Sequence, residues 1–128
     1  AQGRTGDDRL LFTAATLRLT PDDPAAIAAR MDDYMQRRRD KQPLEYPSAG
    51  SFFRRPAGHF AGALIEQAGL KGCRIGGAAV SEKHAGFVVN LGGATAADIR
   101  ALSRHVQERV CAHSGVELTP EVLFIGEF

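Results

Sequence analysis

Leucine and threonine alternate over residues 10–19, from Leu10 and Leu11 through Thr13 and Thr16 to Leu17 and Leu19, and this spacing predicts a strand. Thr20, Pro21, Asp22 and Asp23 follow as a helix-start signal, with proline and acids suited to a first turn. The helix predicted from there runs to about Lys41 and ends before Pro43. Ile27, Met31, Tyr34 and Met35 recur on one face of it. Residues 42–48 read as a linker into a turn at Ser51. A short helix is expected over 59–68, with Phe60, Leu64 and Ile65 facing inward and Gly69 stopping it. Phe87, Val88 and Val89 form an apolar run opened by Gly86, the pattern of a buried strand. Thr95 with Asp98 three residues later is an N-terminal capping pattern for a long helix, on which Ile99, Leu102, Val106 and Val110 line up. A last strand is expected over 121–125.

Helices mixed with short strands, without regular βαβ alternation, imply an α+β fold with a small mixed sheet and packed helices. The 128 residues are 44% apolar and 24% charged, an ordinary composition for one globular domain able to bury about two-thirds of its unfolded surface. Formal net charge is +1, so no global field recruits nucleic acid or a membrane surface. Cys73 and Cys111 lie far apart without ligand-like spacing and read as reduced thiols of a cytoplasmic protein. No apolar run has the length of a membrane helix. The polar, glycine-rich start from Ala1 to Gly6, without an initiating Met, reads as the interior of a longer protein.

The chemistry-bearing stretch is Pro47-Ser48-Ala49-Gly50-Ser51-Phe52-Phe53-Arg54-Arg55-Pro56. It delivers the Ser51 hydroxyl from a small flexible turn and follows it with two aromatics and two guanidinium groups. Glycine allows a bend or a close ligand approach, and the planar arginine forks suit phosphate or carboxylate. Taken alone, the segment better fits a loop-to-strand entry with solvated arginines, because a Gly-Ser turn is common. The basic run ending in Arg38 and Lys41 has a similar double reading, as substrate contacts or as cations favoured in the last turn of a helix. No Cys/His cluster supports a metal site.

Three blocks decide between such readings. One is the Ser51 segment itself. The second continues from Phe60-Ala61-Gly62-Ala63-Leu64-Ile65 into Arg74-Ile75-Gly76-Gly77-Ala78-Ala79-Val80-Ser81-Glu82-Lys83-His84-Ala85-Gly86-Phe87-Val88-Val89-Asn90. The third is Gly115-Val116-Glu117-Leu118-Thr119-Pro120-Glu121-Val122 with Ile125-Gly126-Glu127. In this order they resemble the C-terminal part of bacterial UDP-N-acetylenolpyruvoylglucosamine reductase, over roughly residues 10–126. The resemblance implies a flavoprotein of peptidoglycan precursor synthesis in which NADPH reduces FAD and the reduced flavin reduces an enolpyruvyl ether. Residues 1–41 would then be the tail of the upstream FAD-binding region with a connecting helix, and 42–128 the substrate-binding domain. Ser51 matches the family's proton donor, and Glu121, after Pro120, its catalytic glutamate; Glu127 is the weaker competitor. Arg38, Lys41, Tyr46, Arg55 and His84 match substrate-side positions, His84 near the diphosphate. Arg74, Gly76 and Gly77 suggest a close backbone approach toward the flavin. The family's tyrosine-arginine motif has no counterpart in this chain, so its catalytic arginine is assigned to no residue. Leu123 stands where relatives often carry arginine.

The partners implied are a UDP-sugar and the upstream FAD-binding domains. A non-catalytic nucleotide-sugar binding module is the main rival. An RNA-binding role for the basic run over 37–41 requires a basic face with exposed aromatics, which the near-neutral charge and the apolar setting of most phenylalanines disfavour.

Overall fold

The computed structural model describes residues 13–126. Helix α1 spans Pro24–Lys41, with Asp23 as its N-cap, accepting the Ala26 amide on its carboxylate, and proline in its first turn. The expected start was a few residues earlier. Asp22 pairs with Arg30 instead of capping the helix. The apolar stripe of Ile27, Met31, Tyr34 and Met35 is present, yet no α1 residue is buried.

Four short strands form one sheet: β1 (Ser48–Ser51), β2 (Arg74–Ile75), β3 (Ala78–Val80) and β4 (Phe87–Asn90), in the order β1-β4-β3-β2. The α+β architecture is as expected, but every pairing is antiparallel and the sheet is not mixed. Short connections explain this. Two residues, Gly76 and Gly77, join β2 to β3, and only an antiparallel pair can be linked so tightly. On β1, Ser48 pairs with Val89 and Ser51 with Phe87, three residues of advance against two. Gly50 takes the resulting bulge at φ 78°, a conformation with no steric cost for glycine.

Helix α2 (Ala61–Gln67) and helix α3 (Ala96–Ser114) close the core. Thr95 and Asp98 make the reciprocal capping box, and Gly115 ends α3 in the left-handed conformation, its amide donating to the Cys111 carbonyl. Leu102, Val106 and Val110 are fully buried against Ala78, Val80 and Val88 of the sheet and Leu64 and Ile65 of α2. Each such side chain contributes about 1.5–3 kcal/mol by leaving water. The other face of the sheet, with Ala79, Phe87 and Val89, lies toward the segment over 42–47, where Pro43 is buried.

Three expectations need correction. The part of the first expected strand that is described, residues 13–19, forms none; Leu17 and Leu19 are exposed, and residues 10–12 lie outside the described residues. A strand requires a hydrogen-bonding neighbour, and the described residues offer this segment none. Phe60 faces outward at 62% exposure, because it precedes α2 as its N-cap and sits off the helical stripe. Residues 121–125 make no strand either. The tail meets the chain at an isolated bridge between Phe53 and Pro120, and the pairing goes no further because the Phe52 amide donates to the Gly86 carbonyl instead.

Candidate active site

The backbone of Phe52 organises the site. Its amide donates to the Gly86 carbonyl at 2.9 Å, and its carbonyl accepts the Glu121 amide at 2.9 Å. Next to it, the Arg54 amide donates to the Thr119 carbonyl at 2.8 Å. The Phe52 ring is buried, edge-on to Phe53 and tilted against Phe124. One residue thus ties three segments distant in sequence: the strand end with Ser51, the loop with His84 and the tail with Glu121. Ser51 is exposed at the end of the bulged strand, and no described residue hydrogen-bonds its hydroxyl.

His84 is fixed by its surroundings. Its Nδ1 accepts the Gly86 amide at 3.1 Å, so the neutral ring carries its proton on Nε2. Its ring meets Phe87 edge-on, and a Cβ at Gly62 or Gly86 would press on its Cε1. Both glycines therefore make room for the imidazole. Arg55 is also preorganised. Its guanidinium lies 3.9 Å from the centroid of the outward-facing Phe60 ring, and its Nε donates to the His59 carbonyl at 3.3 Å.

These groups share a cavity of about 510 Å³, whose lining includes Ser51, Arg55, His84 and Glu121 together with Phe60 and Lys83. Arg38 and Tyr46 are not in it. They line a neighbouring cleft of about 560 Å³ that Ser51 also reaches, so Ser51 stands between the two. Tyr46 further borders a cleft of about 400 Å³ over Ala79 and Val89. Lys41, at the exposed end of α1, lines none of these.

Sequence reasoning passed over Lys83 and misdirected Phe60. Lys83 sits inside the block that carries His84, and nothing local distinguishes it from a solvated lysine. Its ammonium donates to the Arg39 carbonyl at 2.9 Å and lies 3.5 Å from a Glu45 carboxylate oxygen. Arg55, a cation five residues before Phe60, is the signal that would have pointed to an outward Phe60.

The hairpin over 74–77 lies outside the cavity. Arg74 Nε donates to the Gly76 carbonyl at 2.6 Å. A Cβ at Gly76, which has φ 55°, would strike the Asp98 carboxylate, and one at Gly77 would strike Ala94 and the Gly92 carbonyl. The close approach these glycines make is to their own chain, and the space against them is already filled. Among the described residues no three His, Cys, Asp or Glu side chains group as metal ligands, and no helix is long and apolar enough to cross a membrane.

Comparison with known proteins gives the lineage. The family model for the C-terminal domain of UDP-N-acetylenolpyruvoylglucosamine reductase matches residues 42–125. The chain belongs to this family. A UDP-N-acetylenolpyruvoylglucosamine reductase of Caldicellulosiruptor saccharolyticus is 53% identical over 98% of this chain and 41% of its own length. One from Exiguobacterium sibiricum is 60% identical over 85% of this chain and 36% of its own. The chain therefore spans about two-fifths of the length of such relatives. The crystal structure of UDP-N-acetylenolpyruvylglucosamine reductase from Thermus caldophilus superposes with a TM-score of 0.66 at 38% identity, covering 81% of this chain and 36% of that one. The antiparallel sheet with its packed helices is thus the fold of a UDP-N-acetylenolpyruvoylglucosamine reductase C-terminal domain.

Proposed function

We propose that this chain is the substrate-side domain of a reductase that converts UDP-N-acetylglucosamine enolpyruvate to UDP-N-acetylmuramate with NADPH, in cytoplasmic peptidoglycan precursor synthesis. Residues 42–128 form the substrate domain, and 1–41 connect it to an upstream FAD-binding region. The observation that carries this reading is the meeting of Ser51, Arg55, His84 and Glu121, from separate segments, around one cavity of about 510 Å³. That volume suits a ligand of several hundred daltons.

When bound, the reduced flavin supplies hydride to the terminal carbon of the enolpyruvyl double bond. The Ser51 hydroxyl gives its proton to the neighbouring carbon, completing the saturated lactyl ether. Its lack of a hydrogen-bond partner among the described residues leaves the O–H available to a substrate atom. Glu121, held by its amide on Phe52, acts on the enolpyruvyl group beside it. Arg55 and the Nε2–H of His84 bind the anionic diphosphate, one as a stacked planar fork and the other as a fixed donor. Arg38, Lys41 and Tyr46 add contacts from the side of the adjoining cleft. The hairpin residues Arg74, Gly76 and Gly77 take no step in this scheme.

In the intact reductase, Ser51→Ala should leave flavin reduction by NADPH unchanged and lower turnover of the ether by about 100-fold or more, the scale of a lost proton donor. Undiminished turnover overturns the role. Titration of this chain with the ether, followed by NMR, should shift the amides of Ser51, Arg55, His84 and Glu121 together.

A further inference from the structure

Helix α1 is attached to the domain in an unusual way. It buries no residue, and its apolar stripe of Ile27, Met31, Tyr34 and Met35 is exposed, so side-chain packing does not orient it. Its last turn is held instead by a side chain 44 residues away in sequence. Lys83 Nζ donates to the Arg39 carbonyl at 2.9 Å and reaches the Gln42 carbonyl at 3.4 Å and Glu45 Oε2 at 3.5 Å. Terminal carbonyls of a helix lack intrahelical donors, and a cation there also meets the negative end of the helix dipole. The Arg38 carbonyl already takes the Gln42 amide, so Lys83 completes the cap rather than duplicating it.

Lys83 precedes His84 in the loop between β3 and β4, and it lines the same cavity. The turn it caps carries Arg38, which lines the adjoining cleft that Ser51 also borders. The capped turn and the cavity loop are thus two parts of one site joined through a single ammonium.

We propose that Lys83 is a positioning residue. It holds the last turn of α1 against the loop over 81–86, so that Arg38 stands in register with Ser51 and His84 when the UDP-sugar binds. It acts through Arg38 and not as a further charge on the ligand. This proposal rests on the substrate reading above.

The test is a double-mutant cycle in the intact reductase. Lys83→Met keeps the aliphatic stem and removes the ammonium. It should raise KM for the ether by about tenfold while kcat stays within about twofold, the pattern of lost ground-state binding. Lys83→Arg should restore most of that loss. On an Arg38→Ala background, Lys83→Met should raise KM by less than about twofold, since a residue acting through another couples to it. Independent, multiplying losses in the two backgrounds overturn the proposal, and so does an unchanged KM in Lys83→Met. Wild-type enzyme that neither binds nor turns over the ether overturns the functional reading itself, which separates the two failures. Amide ¹⁵N relaxation of this chain supplies a readout free of substrate. Residues 36–42 should tumble with the core in the wild type and gain independent motion in Lys83→Met; equal rigidity in both overturns the proposal.

Discussion

At the residue scale, the site depends on side chains whose freedom is removed by their neighbours in the fold. Arg55 is the clearest case. Its guanidinium rests on Phe60 and its Nε on the His59 carbonyl. Arg55→Lys keeps the charge but loses the stacked plane, and KM for the ether in the intact reductase should rise by about two- to fivefold, the worth of an exposed cation-π contact. Gly76 poses a different question, because flavin contact was expected there and the structure fills the space with Asp98. Gly76→Ala should cost about 1–2 kcal/mol from its left-handed backbone alone, with more from the contact with Asp98. A thermal melt measures that cost. An unchanged Tm with weakened flavin binding in the intact protein would instead favour the cofactor contact. Ser51, Arg55, His84 and Glu121 were legible in the sequence through the motifs that carry them. Lys83 was not, because a lysine reveals a helix-capping role only when the helix end is brought to it.

At the element scale, α3 was readable almost entirely, because its cap, its stripe and its terminator are all local. The Asp98 carboxylate accepts the Thr95 amide in the capping box, with the Thr95 side chain and the Gly77 amide beside it, and these hold its carboxyl below the ordinary value of 3.8. A lowered folded pKa gives stability that is present above the unfolded pKa and lost as pH falls through the folded one. The Tm of the wild type should therefore exceed that of Asp98→Asn at neutral pH, and the gap should close in strong acid. A gap that persists there contradicts the assignment. Leu102→Ala should destabilise the domain by about 2–5 kcal/mol in denaturant unfolding, since Leu102 is fully buried between α3 and the sheet. The strands were harder to read. β2 and β3 are two and three residues long, too short to show a period, and residues 13–19 of the first expected strand and the segment over 121–125 have the right composition but join no continuous ladder among the described residues. Strand formation depends on a neighbour, and composition does not supply one.

At the scale of the whole molecule, the chain is one part of a larger catalytic assembly in the reading proposed. This chain with NADPH, FAD and the ether should show no turnover, and addition of the upstream FAD-binding part should restore it. Turnover by the chain alone would overturn that division of labour. The exposed stripe of α1 and the open clefts around Ser51 fit a surface incomplete without a second body. The sequence by itself determined the family, the α+β class and the long capped helix α3, and it singled out Ser51 and Glu121, which the structure brings to one cavity, because each is carried by local spacing or by a contiguous motif. Only the tertiary structure decided that the sheet is antiparallel with a bulge at Gly50, that Phe60 turns outward beneath Arg55, that the Gly76–Gly77 turn packs on its own chain, and that Lys83 caps α1. Apart from the Arg55–Phe60 contact, which lies within one segment, these are matters of which distant segments meet. Backbone hydrogen bonds and buried contacts across long separations settle such meetings, and no local pattern encodes them.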